Sequence, residues 1–328
     1  MDKVHEGIED RFGRRIYYLR ISVTDRCNMR CRYCMPQGFS FLSHSNLMSY
    51  EQILKLAGLF IELGIQKIRI TGGEPLIRNN IMFLIESLGQ MRGLEELTLT
   101  TNGLKLGGYS RSLREAGVRR VNVSLDSLNR DTFKAITGMD RLDVVVNSIH
   151  KASSEGLSVK INVVALRGVN DREFKDFIEF GIRYGCGIRF IEVMSTSLTS
   201  EYLSGSYMAG DEIIESLNKD YHLIPLNEHG STAVERLYGI EGHSIKVGFI
   251  SPISKPFCSR CNRLRLTSEG ILKTCLFGDD GPNLRELLDN GIPDEDIKRI
   301  IRREVYNKPL MYNLENCNSR VIMTRIGG

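Results

Sequence analysis

The chain has 328 residues, enough for two domains, or for one large α/β barrel with an appendage, and for a sizeable core. Its 41% hydrophobic and 26% charged residues exclude bulk disorder, and no apolar run approaches the roughly 18 residues needed to span a bilayer. Forty-four basic against 40 acidic residues leave a net charge of +4, too mild to argue for nucleic acid but compatible with a local anion site.

The first 15 residues are densely charged and have no apolar centre, so they do not read as a secretory signal, and a cytoplasmic location is expected. IYYLRISVT (16–24) reads as a first strand. YEQILKLAGLFIELG (50–64) carries Ile53, Leu54, Ala57, Phe60 and Ile61 at helical spacing, with Gly64 suited to the position just past its end. Strands follow at 66–71, 94–101, 118–125, 157–166 and 187–194. Helices fall between them at 79–91, 109–116, 130–137, 142–155 and 171–185, the last with Asp171 as its N-cap. Residues 195–210 are polar and rich in Gly and Ser and read as a loop, and a short helix follows at 211–219. Short strands, Pro-Phe-Cys turns and a helical stretch complete the chain, with a boundary expected near residue 225.

Alternating strands and helices with short connections predict an α/β fold with a parallel sheet and right-handed crossovers. About six such units are too few for a complete eight-fold barrel. Periodicity alone leaves a partial barrel or an open doubly wound sheet. In either, the site belongs at the C-terminal ends of the strands. Residues 24–34, 71–75, 100–103, 124–126 and Met194 fall there.

Eight cysteines are too sparse for a disulfide scaffold, and six of them cluster. Cys27, Cys31 and Cys34 have the spacing CxxxCxxC. Three such thiolates can hold three corners of a [4Fe–4S] cube and leave the fourth iron open. Structural zinc wants four ligands, and the nearest histidine, His44, lies ten residues beyond Cys34, so iron–sulfur is favoured. Cys258, Cys261 and Cys275 form a second trio. Taken alone it fits zinc as well as iron–sulfur, because Cys317 or His243 could complete four ligands. Cys186 and Cys317 read as ordinary buried thiols. Thr71-Gly72-Gly73-Glu74-Pro75 is a tight turn whose glycines allow the backbone to approach a ligand. Arg20, Arg69 and Lys160 alternate with apolar neighbours in three predicted strands. Pointing inward together, they would need an anion. No GxxxxGK[ST] motif is present, so a nucleotide would not sit in a P-loop.

CxxxCxxC after the first strand, Tyr33 before its third cysteine and GGEP after the next strand resemble the radical S-adenosylmethionine (SAM) superfamily. The resemblance narrows to the GTP 3′,8-cyclase family through FGRRIYYLRISVTDRCNMRCRYCMP, KIRITGGEPLIR, LTTNG, RRVNVSLDS, VKINVV, RFIEVM, FCSRCNRLRL, CLF and the terminal Gly327-Gly328. It implies an incomplete (β/α)6-type radical SAM barrel over 1–225 and a smaller C-terminal domain over 226–328 that binds the auxiliary cluster and GTP. It implies two [4Fe–4S] clusters, the SAM cluster on Cys27, Cys31 and Cys34 and the auxiliary one on Cys258, Cys261 and Cys275. SAM contacts correspond to Tyr33, Gly73, Ser124 and Met194. GTP contacts correspond to Arg20, Arg69, Thr100, Lys160, Arg263, Leu264 and Arg265, with Arg263 and Arg265 also catalytic. A 5′-deoxyadenosyl radical would remove the ribose 3′ hydrogen of GTP, and C3′ would bond to guanine C8. The Gly-Gly end would insert toward the active site. An external electron donor and hand-over to the next pathway enzyme are implied, and a homodimer is allowed; nucleic acid and membrane are not expected.

Overall fold

The computed structural model describes residues 7–35, 39–194, 203, 205–226, 234–311 and 323–327. Cys317, Gly328 and most of the loop expected at 195–210 lie outside the described residues. A two-stranded ladder, β1 (Ile8–Glu9) and β2 (Arg15–Ile16), opens the chain. Then come β3 (Tyr18–Ser22), α1 (Tyr50–Glu62), β4 (Lys67–Thr71), α2 (Ile81–Gly89), β5 (Glu96–Thr101) and α3 (Leu106–Glu115). They are followed by β6 (Arg120–Ser124), α4 (Arg130–Thr137), α5 (Leu142–Ser154), β7 (Ser158–Ala165), α6 (Phe174–Tyr184) and β8 (Gly187–Glu192). The remainder is α7 (Gly210–Leu217), β9 (Leu223–Leu226), β10 (Arg236–Ile240), β11 (His243–Ile250), β12 (Arg263–Leu266), β13 (Leu272–Lys273), α8 (Leu284–Asp289), α9 (Asp294–Tyr306) and α10 (Met323–Ile326).

Eleven strands form one sheet in the order β13-β12-β3-β4-β5-β6-β7-β8-β11-β10-β9. From β3 to β8 spatial order follows chain order, and every pair is parallel. Right-handed crossovers that never reverse direction put all the helices on one face. Neighbouring helices accordingly touch, α1 with α2, α2 with α3, α3 with α5 and α5 with α6. A doubly wound sheet would need a reversal of strand order. The architecture is therefore an incomplete (β/α)6 barrel. C-terminal strands extend both of its edges in parallel, β12 beside β3 and β11 beside β8.

Strand alternation divides the sheet chemically. Leu19, Ile21, Ile68, Ile70, Leu99, Val121, Val123, Ile161, Ile188 and Phe190 face the helices and form the core with Leu56, Phe60, Leu84, Val145, Ile149 and Phe177. The opposite, concave face carries Arg20, Arg69, Thr98, Asn122, Lys160 and Arg189.

The helices fall where the sequence places them, but α3 starts at Leu106 rather than 109, α2 is shortened to Ile81–Gly89, and one cap differs. Ser49 and Gln52 close a reciprocal capping box on α1, at 3.2 and 2.8 Å. Asp171 does not cap α6, which begins at Phe174 after Glu173. The Asp171 carboxylate accepts from the Gly168 amide at 3.0 Å, holding a turn. Buried Glu173 meanwhile ties this approach to Ser127 Oγ at 2.8 Å and to the Leu128 amide at 2.7 Å. Residue 225 lies within β9, inside the continuous sheet. No described helix is long and apolar enough to cross a membrane.

Candidate active site

The loops at the C-terminal ends of β3, β4, β5 and β6 are laced together by polar groups. The Gly73 amide donates to Thr24 O at 2.7 Å and the Glu74 amide to Arg26 O at 2.8 Å. A Cβ at Gly73 would lie 2.3 Å from Arg26 O, and one at Gly72 2.6 Å from Thr24 O, where φ is also +152°. The two glycines thus allow the GGEP turn to lie against the cysteine loop. The Gly73 amide thus has its partner within the chain, which leaves the carbonyl as the main-chain group of Gly73 open to a ligand. Buried Glu74 accepts from Thr101 Oγ1 at 2.8 Å and the Asn102 amide at 2.7 Å. Asn102 in turn donates to Asn28 Oδ1 at 2.7 Å and reaches Cys27 Sγ at 3.6 Å. Tyr33 donates its hydroxyl to Asp126 at 2.5 Å, and Asp126 also accepts from the Val164 amide at 2.8 Å.

Cys27, Cys31 and Cys34 sit on this loop within electrostatic reach of one another. Burial, then the neighbouring Cys27 and Asp126, push the Cys34 thiol up to about 12. Burial followed by Cys34, Asp126 and Cys27 raises Cys31. Such neutral thiols want a positive partner that would favour their thiolates. Among the described residues, no three His, Cys, Asp or Glu side chains converge on one ion-sized point. Three cysteines on one loop are the donor set of a [4Fe–4S] cluster with one iron left open.

In the second trio Cys261 meets the opposite electrostatics. Burial raises the Cys261 thiol, but Lys308, the Arg263 amide and charge, and Arg14 outweigh it and leave the pKa lowered. Arg14 clamps this region, with Nη1 on Cys258 O at 2.6 Å, Nη2 on Pro309 O at 2.7 Å and Nε on Asp10 at 2.5 Å. Arg265 lies within electrostatic range of both Cys261 and Cys275. Cys186 is a buried core thiol, as expected.

Between the trios lies the basic concave face. β3 carries Arg20 and runs on into the first cysteine loop, whereas β12 follows directly on Cys261 and carries Arg263 and Arg265. Arg265, Arg20 and Arg69 stand side by side in register on β12, β3 and β4. Burial and mutual repulsion push Arg20 and Arg69 down to about 9, Arg265 to about 10 and Lys160 to about 8. Arg69 holds Thr98 Oγ1 at 3.1 Å, and Asn122, with its amide oriented to satisfy both groups, accepts from Arg69 Nη2 at 3.1 Å. Tyr18 packs amid cations, with Arg69 and Arg263 each 5.5 Å from its ring centre. Burial raises its phenol, but Arg69, Arg20, Arg263 and Lys67 overcome this and bring it to about 8. Tyr18 Oη, Thr100 Oγ1 and Arg263 Nε are buried without a hydrogen-bond partner among the described residues. A face of crowded cations and unpartnered polar atoms fits a polyanionic ligand.

Most of the predicted site residues gather here. Leu264 is the exception: alternation turns its side chain into the core, fully buried, so only its main chain faces the arginines. Met194 packs with Phe277 and Ile326 against the C-terminal segment, and Ser124 is half-buried at the end of β6. The carbonyl of Gly327 accepts from Arg20 Nη2 at 3.0 Å and Arg265 Nη1 at 2.9 Å, which brings the tail into the site. Arg189, Glu235, Tyr18 and Asn122 join this face without being among the candidates named from the sequence. The alternation that flags Arg20 and Lys160 also flags Arg189 and Asn122; Glu235 carries no such signal.

The chain matches two family models: the radical SAM superfamily over residues 21–181, and molybdenum cofactor synthesis C over 186–314. A GTP 3′,8-cyclase from Geobacter sulfurreducens is 42% identical over 97% of this chain and 99% of that protein. The chain belongs to the GTP 3′,8-cyclase family. Another member, from Peptoclostridium acidaminophilum, is 44% identical over 94% of each chain. Among solved structures, Streptococcus suis SuiB bound to S-adenosylmethionine shares the fold, with a TM-score of 0.64 at 15% identity over 95% of this chain and 72% of that one. A second SuiB structure aligns with 90% of the cyclase-family chain, which spans 66% of SuiB's length there, also with a TM-score of 0.64 and 15% identity.

Proposed function

We infer that the chain is a radical SAM enzyme that cyclises GTP to (8S)-3′,8-cyclo-7,8-dihydroguanosine 5′-triphosphate, the opening reaction of molybdenum cofactor biosynthesis. Family membership supports this reading. The observation that carries it is the crowd of buried cations between the two cysteine trios. Cys27, Cys31 and Cys34 would hold the SAM-binding [4Fe–4S] cluster, and Cys258, Cys261 and Cys275 the auxiliary one. When bound, the first cluster and SAM supply the radical that takes the ribose 3′ hydrogen.

The remaining work falls to the chain. Gly73 O, Ser124, Met194 and the Tyr33 region would position SAM over the strand ends. Arg20, Arg69 and Lys160 would hold the triphosphate, and Thr100 Oγ1 gains the partner it lacks. Arg263 and Arg265 would sit beside the auxiliary site and stabilise negative charge that develops on the purine. Arg265 keeps its proton at neutral pH, since its pKa falls only to about 10, so it acts by charge rather than proton transfer. The main chain of Leu264 lies between them. We divide the chain functionally near residue 225, with the radical-forming site before it and the auxiliary site after it. We also place the enzyme in the cytoplasm, where an external donor supplies electrons and the next pathway enzyme takes the product, and where a homodimer is compatible with this site.

The test is anaerobic turnover with GTP and SAM by fully reconstituted protein. A 3′,8-cyclised nucleotide is expected. 5′-Deoxyadenosine without it removes the assignment. Cys27→Ser should abolish SAM cleavage, whereas Cys258→Ser should retain uncoupled cleavage and lose cyclisation. Equal loss of both in folded protein contradicts this division of labour.

A further inference from the structure

Lys160 and Arg189 are set apart from Arg69 by their partner. Arg69 rests on the neutral groups of Thr98 and Asn122. Lys160 and Arg189 share a carboxylate: Glu235 Oε1 accepts from Lys160 Nζ at 2.9 Å, and Glu235 Oε2 from Arg189 Nε at 2.5 Å. One oxygen per cation is also the way a phosphate would bridge them. Arg189 is further fixed by Asn162 Oδ1, 3.1 Å from Nη1. The three charged side chains are only 11–17% exposed.

The sheet makes room for this carboxylate. Arg189 on β8 pairs with Gly248 on β11, and a Cβ at Gly248 would lie 2.7 Å from Glu235 Oε2. Glu235 itself comes from the chain just before β10, outside the strand–helix units that carry the cations. It reaches across β11 to lie on the Lys160–Arg189 pair. A carboxylate there keeps two inward cations satisfied, but it occupies the position where a triphosphate would bind them.

We propose that Glu235 is a resident counter-anion, a specificity-determining residue that a substrate's polyphosphate must displace from Lys160 and Arg189. This rests on reading the basic face as the substrate's phosphate site. A triphosphate carries enough charge to compete with one carboxylate, while shorter phosphates compete less well. Glu235 thus weakens all anions and sharpens the choice among them.

The experiment measures equilibrium binding of GTP, GDP and inorganic tripolyphosphate to the anaerobically reconstituted full chain, in wild type and Glu235→Gln. The neutral amide should tighten GDP and tripolyphosphate about ten-fold or more and narrow the preference for GTP over GDP. Gly248→Ala, which pushes the carboxylate off the sheet, should act in the same direction and decides the matter if the Gln variant fails to fold. Unchanged or weaker anion binding in the variants overturns the proposal. So does failure of all three anions to bind either protein. If tripolyphosphate shows the Glu235 effect while wild type ignores GTP, the counter-anion stands and the GTP reading falls.

Discussion

A methyl group on Gly73 would press on the Arg26 carbonyl, and one on Gly327 would lie 1.8 Å from Thr71 Oγ1 with φ at +70°. Gly73→Ala should therefore part the GGEP turn from the cysteine loop, costing on the order of 2–4 kcal/mol of stability and lowering iron content at the first trio. Denaturant unfolding and iron analysis check both. Glu235 makes a prediction of a different kind. Burial raises its carboxyl, but Arg189 and Lys160 more than compensate and hold it at about 2. A depressed acid stabilises the fold above its ordinary pKa of 4.5 and loses that contribution as pH falls toward 2. Glu235→Gln should thus be less stable than wild type at pH 7 by on the order of 3 kcal/mol. Urea midpoints at pH 3 should show less than half that gap. Arg20, Arg69 and Lys160 are legible in the sequence because each interrupts an apolar strand. Glu235 is not legible, because its meaning comes from strands far from it in the chain.

At the scale of the element, β12 shows what alternation can and cannot reveal. The run Arg263-Leu264-Arg265 reads as one basic motif, yet Leu264 packs beside Leu19 in the core while its neighbours lie on the concave face. Leu264→Ala should cost about 2–4 kcal/mol of stability through the cavity it leaves. Arg265→Gln should fold normally and bind GTP at least ten-fold more weakly. Thermal unfolding paired with nucleotide titration separates the two, and a Leu264→Ala chain as stable as wild type would refute the packing. α1 is the most legible element, because Ser49, Gln52 and the apolar stripe all specify it locally. α6 is less so: Asp171 is a good cap by type, but the tethering of Glu173 to the loop after β6 moves the start to Phe174.

For the whole molecule, the six parallel units could be counted from the sequence, while the edges could not. Strand pairing between β3 and β12 depends on side chains meeting across most of the chain, which no local pattern encodes. Both outer neighbours of the six-strand arc come from after residue 225. A chain ending at 225 should expose two parallel edges and the apolar partners of Leu264 and Leu266. It should sediment as aggregate or show no cooperative unfolding. A sharp two-state transition in that fragment would contradict this reading.

The partnership of Tyr18 with Arg263 also sets a timetable. On a ribosome adding 5–20 residues each second, β3 emerges roughly 10–50 s before the strand that flanks it can be made. During that interval the nascent barrel has an open seam, so holdase chaperones, expression temperature and translation rate should govern the yield of correctly closed protein.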